Sequence, residues 1–206
     1  MIPLLNIGWN GDPVVTSRES DVLSLIGTEE LTLFTFDGLK RRLGLHPETL
    51  SRILSRLEEA GAIRKEVNGY KVTPKITKLK FKETYREEPH VPLLQTYLPS
   101  SIQVQQLIVN LRGKWFGSLR WFGISEDDRG VILKWVTEDG GIQINAVIED
   151  STLTIEAKFL RDDSLNRALN ASYQLITYIG KYFSGRRHMA THVGCFGNMN
   201  PFLMPA

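Results

Sequence analysis

Residues 46–73 read "HPETLSRILSRLEEAGAIRKEVNGYKVT", and the hydrophobic period changes partway along. Leu50, Ile53, Leu54 and Leu57 recur at three- and four-residue steps, the spacing of one face of an α-helix. Pro47 suits the first helical turn, where its missing N–H has no partner to lose, and Gly61 ends the helix. The next residues predict a hairpin. Ile63, Val67, Tyr70 and Val72 are strand formers, and Asn68-Gly69 is a strong tight-turn signal because both central residues favour positive φ. A short amphipathic helix therefore runs directly into a two-stranded ribbon.

Two further helices are expected upstream. "TSRESDVLSLIG" has capping-box spacing between Thr16 and Glu19, an apolar face of Val22, Leu23 and Ile26, and Gly27 at its end. "LTLFTF" is a brief β-prone piece, and "FDGLKRRLG" predicts a second helix closed by Gly44. After the hairpin, "PKITKLKFKETYREEPHVP" is a basic connector whose spacing fits either a helix or a strand. Pro89 and Pro92 mark a boundary there. The expected domains are 1–88, with an N-terminal extension and the connector, and 89–206, with a C-terminal tail.

The second half has a different rhythm. "SSIQVQQLIVNLRG" predicts an amphipathic helix, then β-prone runs follow at 115–124, 131–138, 142–149 and 152–160, separated by short turns. Ile142, Ile144, Ala146 and Ile148 alternate with polar residues, as do Leu153, Ile155, Ala157 and Phe159. "SLNRALNASYQLITYIGKYF" closes the series as a long amphipathic helix. The expected fold class is α+β, with a C-terminal αββββα unit whose four-stranded antiparallel sheet packs helices on its apolar side.

Charge separates the halves more than net charge does. Between Lys40 and Lys82 twelve Lys or Arg face four acids, whereas Pro89 to the end is nearly balanced. A basic stripe on one module is the footprint of a nucleic-acid binder. With Leu50, Ile53, Leu54 and Leu57 facing inward, Thr49, Ser51, Arg52, Ser55 and Arg56 turn outward. Arg can donate two hydrogen bonds to a guanine edge, and Ser or Thr can reach bases or phosphates. His46 stands at the helix N-terminus, where free N–H groups favour a phosphate. Arg64, Lys65 and Lys71 flank the hairpin tip at Asn68, and Lys40, Arg41 and Arg42 on the second helix are placed to grip a phosphate strand.

On these residues "FDGLKRRLGLHPETLSRILSRLEEAGAIRKEVNGYKVT" resembles the winged helix-turn-helix of prokaryotic and archaeal transcriptional regulators, including the multiple-antibiotic-resistance type. The resemblance covers about residues 16–75. It implies that Thr49, Ser51, Arg52, Ser55 and Arg56 face the groove, with Arg64, Lys65 and Lys71 on the wing. The long flanking helices of that family are absent, and the second half matches no family pattern. The implied function is a cytoplasmic, sequence-specific transcriptional regulator. Its partner is double-stranded DNA, bound as a homodimer, and its second domain dimerises or senses a small-molecule effector. The alternative is a docking adaptor for a protein of the transcription or replication machinery.

Other features carry less. Glu48 is spaced to pair with Arg52 across one helical turn, the ordinary fate of an exposed helical arginine. His188, His192 and Cys195 have partial ligand spacing but no fourth ligand nearby, so no metal or other cofactor is expected. Glu126, Asp127, Asp128, Glu149, Asp150, Asp162 and Asp163 fall at turns and a helix start, where acids cap and solvate. No catalytic constellation is present, and Trp115, Trp121, Trp135, Phe116 and Phe122 are expected in the core. A single cysteine fits a reducing compartment, and no run approaches the ~20 apolar residues of a membrane span.

Overall fold

The computed structural model describes residues 17–73, 89–100 and 102–184. In chain order these carry α1 (Ser17–Thr28), β1 (Leu33–Phe34), α2 (Phe36–Leu43), α3 (Pro47–Glu59), the hairpin β2 (Ile63–Glu66) and β3 (Gly69–Val72), β4 (His90–Tyr97), α4 (Val104–Leu111), the meander β5 (Leu119–Glu126), β6 (Gly130–Thr137), β7 (Ile142–Glu149) and β8 (Thr152–Phe159), and α5 (Leu165–Ser184). The architecture is α+β. All eight strands join one antiparallel sheet in the order β2-β3-β1-β5-β6-β7-β8-β4.

The two-residue strand β1 bridges the hairpin and the meander. Leu33 pairs with Lys71 of β3 on one side and Ile124 of β5 on the other, and Phe34 pairs with Tyr70 and Gly123. Successive side chains of a strand point to opposite faces, so Leu33 and Phe34 enter different cores. Leu33 joins the core under α4 and α5, with Leu107, Leu111, Trp135, Ile144, Ile155 and Leu175. Phe34 joins the core under α1, α2 and α3, with Leu25, Leu39, Leu50 and Leu54. Phe122 and Val136 from the meander also belong to this second core.

A β-bulge lets β5 serve both cores. The register with β6 shifts between Trp121 and Gly123, so Trp121 and Ile124 face one core and Phe122 the other. At the bulge α2 meets the sheet very closely: a Cβ on Gly38 would lie 2.6 Å from the Phe122 Cα. Thr35 caps α2 there, its hydroxyl accepting from the Gly38 N–H at 3.1 Å and donating to the Trp121 carbonyl at 3.1 Å.

The expected four-stranded sheet is corrected to eight strands. β4 occupies the place read as a boundary, and Pro92 is tolerated because β4 is an edge strand paired only with β8. The first meander strand starts at Leu119 rather than 115, because Phe116 and Leu119 close a tight turn through Gly117 at φ 58°. Residues 74–88, Thr16 of the expected capping box, and His188, His192 and Cys195 lie outside the described residues. Glu19, the other half of that capping box, instead places its carboxylate 3.3 Å from Arg56.

The polar face of the meander is not wholly open to water. Glu29, just after α1, inserts its carboxylate against that face and accepts from Lys134 at 2.8 Å, Gln143 at 2.9 Å and Lys158 at 3.1 Å. Lys134 and the Ser125 hydroxyl also donate to the Glu29 carbonyl. The chain of contacts continues from Gln143 to Asn145, Glu156 and His90 at the surface. Burial pushes the Glu29 carboxyl up. The charges of Lys134 and Lys158, with hydrogen bonds from Lys134 and Gln143, outweigh that and hold it well below the usual carboxylate range.

Candidate nucleic-acid interface

α3 is amphipathic in the way its spacing predicts. Leu50, Ile53, Leu54 and Leu57 are buried, while Ser51, Arg52, Ser55 and Arg56 are exposed and Thr49 is half-buried. The three-residue link Gly44–His46 turns the chain from α2 into α3, with Gly44 in the left-handed conformation at φ 63°. His46 is the exposed N-cap and makes no side-chain cap bond.

The arginines of α3 stand in solvent, each beside an acid. Arg52 is 75% exposed and pairs with Glu48 one turn earlier, and Arg56 is 50% exposed beside Glu19 of α1. The Arg52–Glu48 pair is exposed on both sides and contributes about 0–1 kcal/mol, so Arg52 can exchange its carboxylate for a phosphate or a base edge at small cost, whereas Glu19 is only 15% exposed and holds Arg56 more firmly.

The hairpin departs from expectation at its tip. Glu66 pairs with Gly69, which centres the turn on Val67-Asn68 rather than Asn68-Gly69. Neither Val67 nor Asn68 has positive φ, and Gly69, at φ 140°, is the residue that needs to be glycine. A Cβ there would lie 2.2 Å from the Phe34 carbonyl oxygen, so close strand packing selects the residue. Val67 is fully exposed at the tip, and Asn68, Arg64, Lys65 and Lys71 are all exposed. Arg64 lies directly across from Lys71 and also binds Glu66 at 2.9 Å. The Glu66 carboxyl sits below its ordinary value, first because Arg64 donates a hydrogen bond to it, with Lys71 and Arg112 adding positive potential.

The basic end of α2 divides. Lys40 and Arg41 are partly exposed, and Lys40 lies 3.0 Å from Asp37. Arg42, expected to grip a phosphate strand, turns inward: its side chain is 6% exposed, its Nε donates to Gln143 at 3.3 Å, and its Nη2 is 3.7 Å from Glu29. Burial takes it out of reach of any ligand on the α3 side. The physical reason is Glu29, whose carboxylate needs counter-charge on the sheet face that α2 covers.

Sequence reasoning missed Glu29, Lys134, Gln143, Asn145 and Lys158 as a group. Their signal was the polar half of each alternating strand, which looks the same whether it faces water or a second polar layer. Of the acids read as turn formers, Asp127 accepts from the backbone of Arg129 and Gly130, Asp150 takes φ 50°, and Asp163 accepts from the Ser164 N–H, whereas Glu126 and Glu149 are the last residues of β5 and β7. Trp121, Trp135, Phe116 and Phe122 are buried as expected, but Trp115 is 63% exposed, a correction explained by the turn that precedes β5.

Comparison with protein-family models and with curated proteins finds no match for this chain. Among the described residues no helix is long and apolar enough to cross a membrane, and no group of three or more His, Cys, Asp or Glu is placed to hold a metal ion.

Proposed function

We propose that residues 17–73 form a winged helix-turn-helix and that the chain is a sequence-specific, DNA-binding transcriptional regulator. α3 is the recognition helix and β2–β3 the wing, and the αββββα unit of the second half acts as the dimerisation element. The reading rests on one observation: the polar flank of α3 stands in solvent while its apolar flank is sealed against α1, α2 and the sheet. In this reading Ser51, Arg52, Ser55 and Thr49 meet base edges in the major groove. Lys40, Arg41, Lys65 and Lys71 supply salt-dependent attraction to phosphates.

Dimerisation is supported by α5, where Leu165, Leu169 and Tyr173 recur every four residues and are 50%, 41% and 67% exposed. A second copy covering that stripe would give the two-fold arrangement that paired half-sites about one helical turn apart require.

The test is selection of bound fragments from genomic DNA, followed by titration of the recovered duplex with wild type and with the double variant Arg52→Ala, Arg56→Ala. Removing one arginine from a base edge or phosphate is expected to weaken binding by about 1–3 kcal/mol. Recovery of no fragment, or full affinity in the double variant, refutes the role of α3.

A further inference from the structure

The loop between α4 and β5, residues 112–118, reads "RGKWFGS" and is held more firmly than its sequence suggests. The Trp135 indole N–H donates to the Lys114 carbonyl at 2.8 Å. Phe116 is buried edge-on against Trp135 at 5.7 Å and tilted on Tyr178 at 5.4 Å. Between these two anchors Trp115 is turned outward, and the Arg120 guanidinium lies over its ring at 4.6 Å. Arg120 is fixed in turn by the Gly117 carbonyl and Glu138. Anchored through its neighbours Lys114 and Phe116, the 63% exposed indole offers a flat apolar face to a partner.

The strand register places this loop. Phe34 pairs with Tyr70 on one side and Gly123 on the other, so the hairpin tip and the start of β5 lie at the same end of the sheet. Only β1 separates β3 from β5, so the two strands lie about two strand spacings apart across the sheet, roughly 10 Å. Arg112 is exposed and close enough for its charge to act on Glu66 of the hairpin. From Pro89 to Ser125 the sequence has no acidic residue, so the loop cations have no carboxylate of their own segment to pair with. Glu138, just past the end of β6, reaches into the loop and binds Arg120.

We infer that the Arg112–Arg120 loop is a second duplex-DNA contact beside the hairpin tip, with Arg112 on a backbone phosphate and the Trp115 indole packed on the adjoining sugar. The inference rests on the DNA-binding reading above and extends it to the second half of the chain. Charge selects the partner: Arg112 and Lys114 of the loop and Arg64, Lys65 and Lys71 of the hairpin are all exposed cations. The contact carries no base specificity, since phosphate and sugar are the same at every base pair.

The probe is a fluorescein-labelled mixed-sequence duplex of about 30 base pairs, titrated by anisotropy from about 50 to 200 mM salt. Arg112→Ala is expected to bind roughly three- to tenfold more weakly and to lower the salt slope by about one phosphate. Trp115→Ala is expected to weaken binding with the slope unchanged, because it removes an uncharged group. Both side chains are exposed, and equal urea midpoints establish that the variants fold. If both loop variants bind as wild type while Arg52→Ala, Arg56→Ala is weakened, the loop contact is overturned and the winged-helix reading survives. If the wild type binds no duplex at the lowest salt, both fall together. If the loop variants lose self-association but keep their DNA affinity, the loop is a protein surface and the inference is overturned.

Discussion

Replacing Glu29 with Gln keeps the shape of the side chain and removes its charge. The carboxylate is 2% exposed and has Lys134 at 2.8 Å, Lys158 at 3.1 Å and Arg42 at 3.7 Å, with the Gln143 amide at 2.9 Å. Gln offers one acceptor oxygen where there were two, and its amide N–H groups would face donors. Three buried cations then lose their counter-charge. Removing one partner of a buried ion network costs about 3–5 kcal/mol. With a urea m-value of roughly 2 kcal/mol/M, the unfolding midpoint should fall by about 1.5–2.5 M. Lys134→Met is the comparison, because Glu29 keeps Lys158 and Arg42 and its carbonyl keeps the Ser125 hydroxyl at 2.7 Å. Burial already holds the Lys134 pKa below its ordinary value, and the carboxylate keeps two cations in the variant, so the expected loss is smaller than in Glu29→Gln. The pH dependence follows the same logic. A carboxyl lowered in the folded state stabilises fully above its ordinary value of 4.5 and loses that contribution as pH falls below it. The advantage of wild type over Glu29→Gln should therefore shrink in acid. A loss under about 1 kcal/mol in Glu29→Gln, or equal losses in the two variants, refutes the reasoning.

Gly38→Ala should destabilise by about 1–3 kcal/mol although alanine is the better helix former, because its Cβ would stand 2.6 Å from the Phe122 backbone. An unchanged thermal or urea midpoint would show that α2 can move off β5 freely. Leu169→Glu should convert the proposed dimer to a monomer in sedimentation velocity, with secondary structure intact by circular dichroism. A dimer that survives the charge places the self-association surface elsewhere.

The helices were legible wherever one face alternates with a period of 3.6, as at Leu50, Ile53, Leu54 and Leu57, because that pattern has one structural reading. The meander was legible for the same reason at a period of two, with Ile142, Ile144 and Ala146 all in the core. β4 was not: "HVPLLQTY" contains a proline, and only its edge position makes that harmless. Arg42 was misplaced because sequence spacing shows the face of a helix and not what covers it. Lys134, Gln143 and Lys158 escaped notice because a strand's polar half is silent about whether water or a buried carboxylate lies opposite. Exposed Trp115 is a long-range outcome too, set by Trp135 and Phe116 gripping the residues on either side.

The pairing of Leu33 and Phe34 on both edges has a mechanical consequence. Thr32 and Thr35 add backbone bonds to Ile124 and Phe122 at 2.9 Å, so the junction between β1 and β5 is riveted along its whole length. Tilting the N-terminal helices against the meander would have to shear these bonds and pull Glu29 from its socket at the same time. A load applied at α5 would therefore reach α3 through this bonded junction.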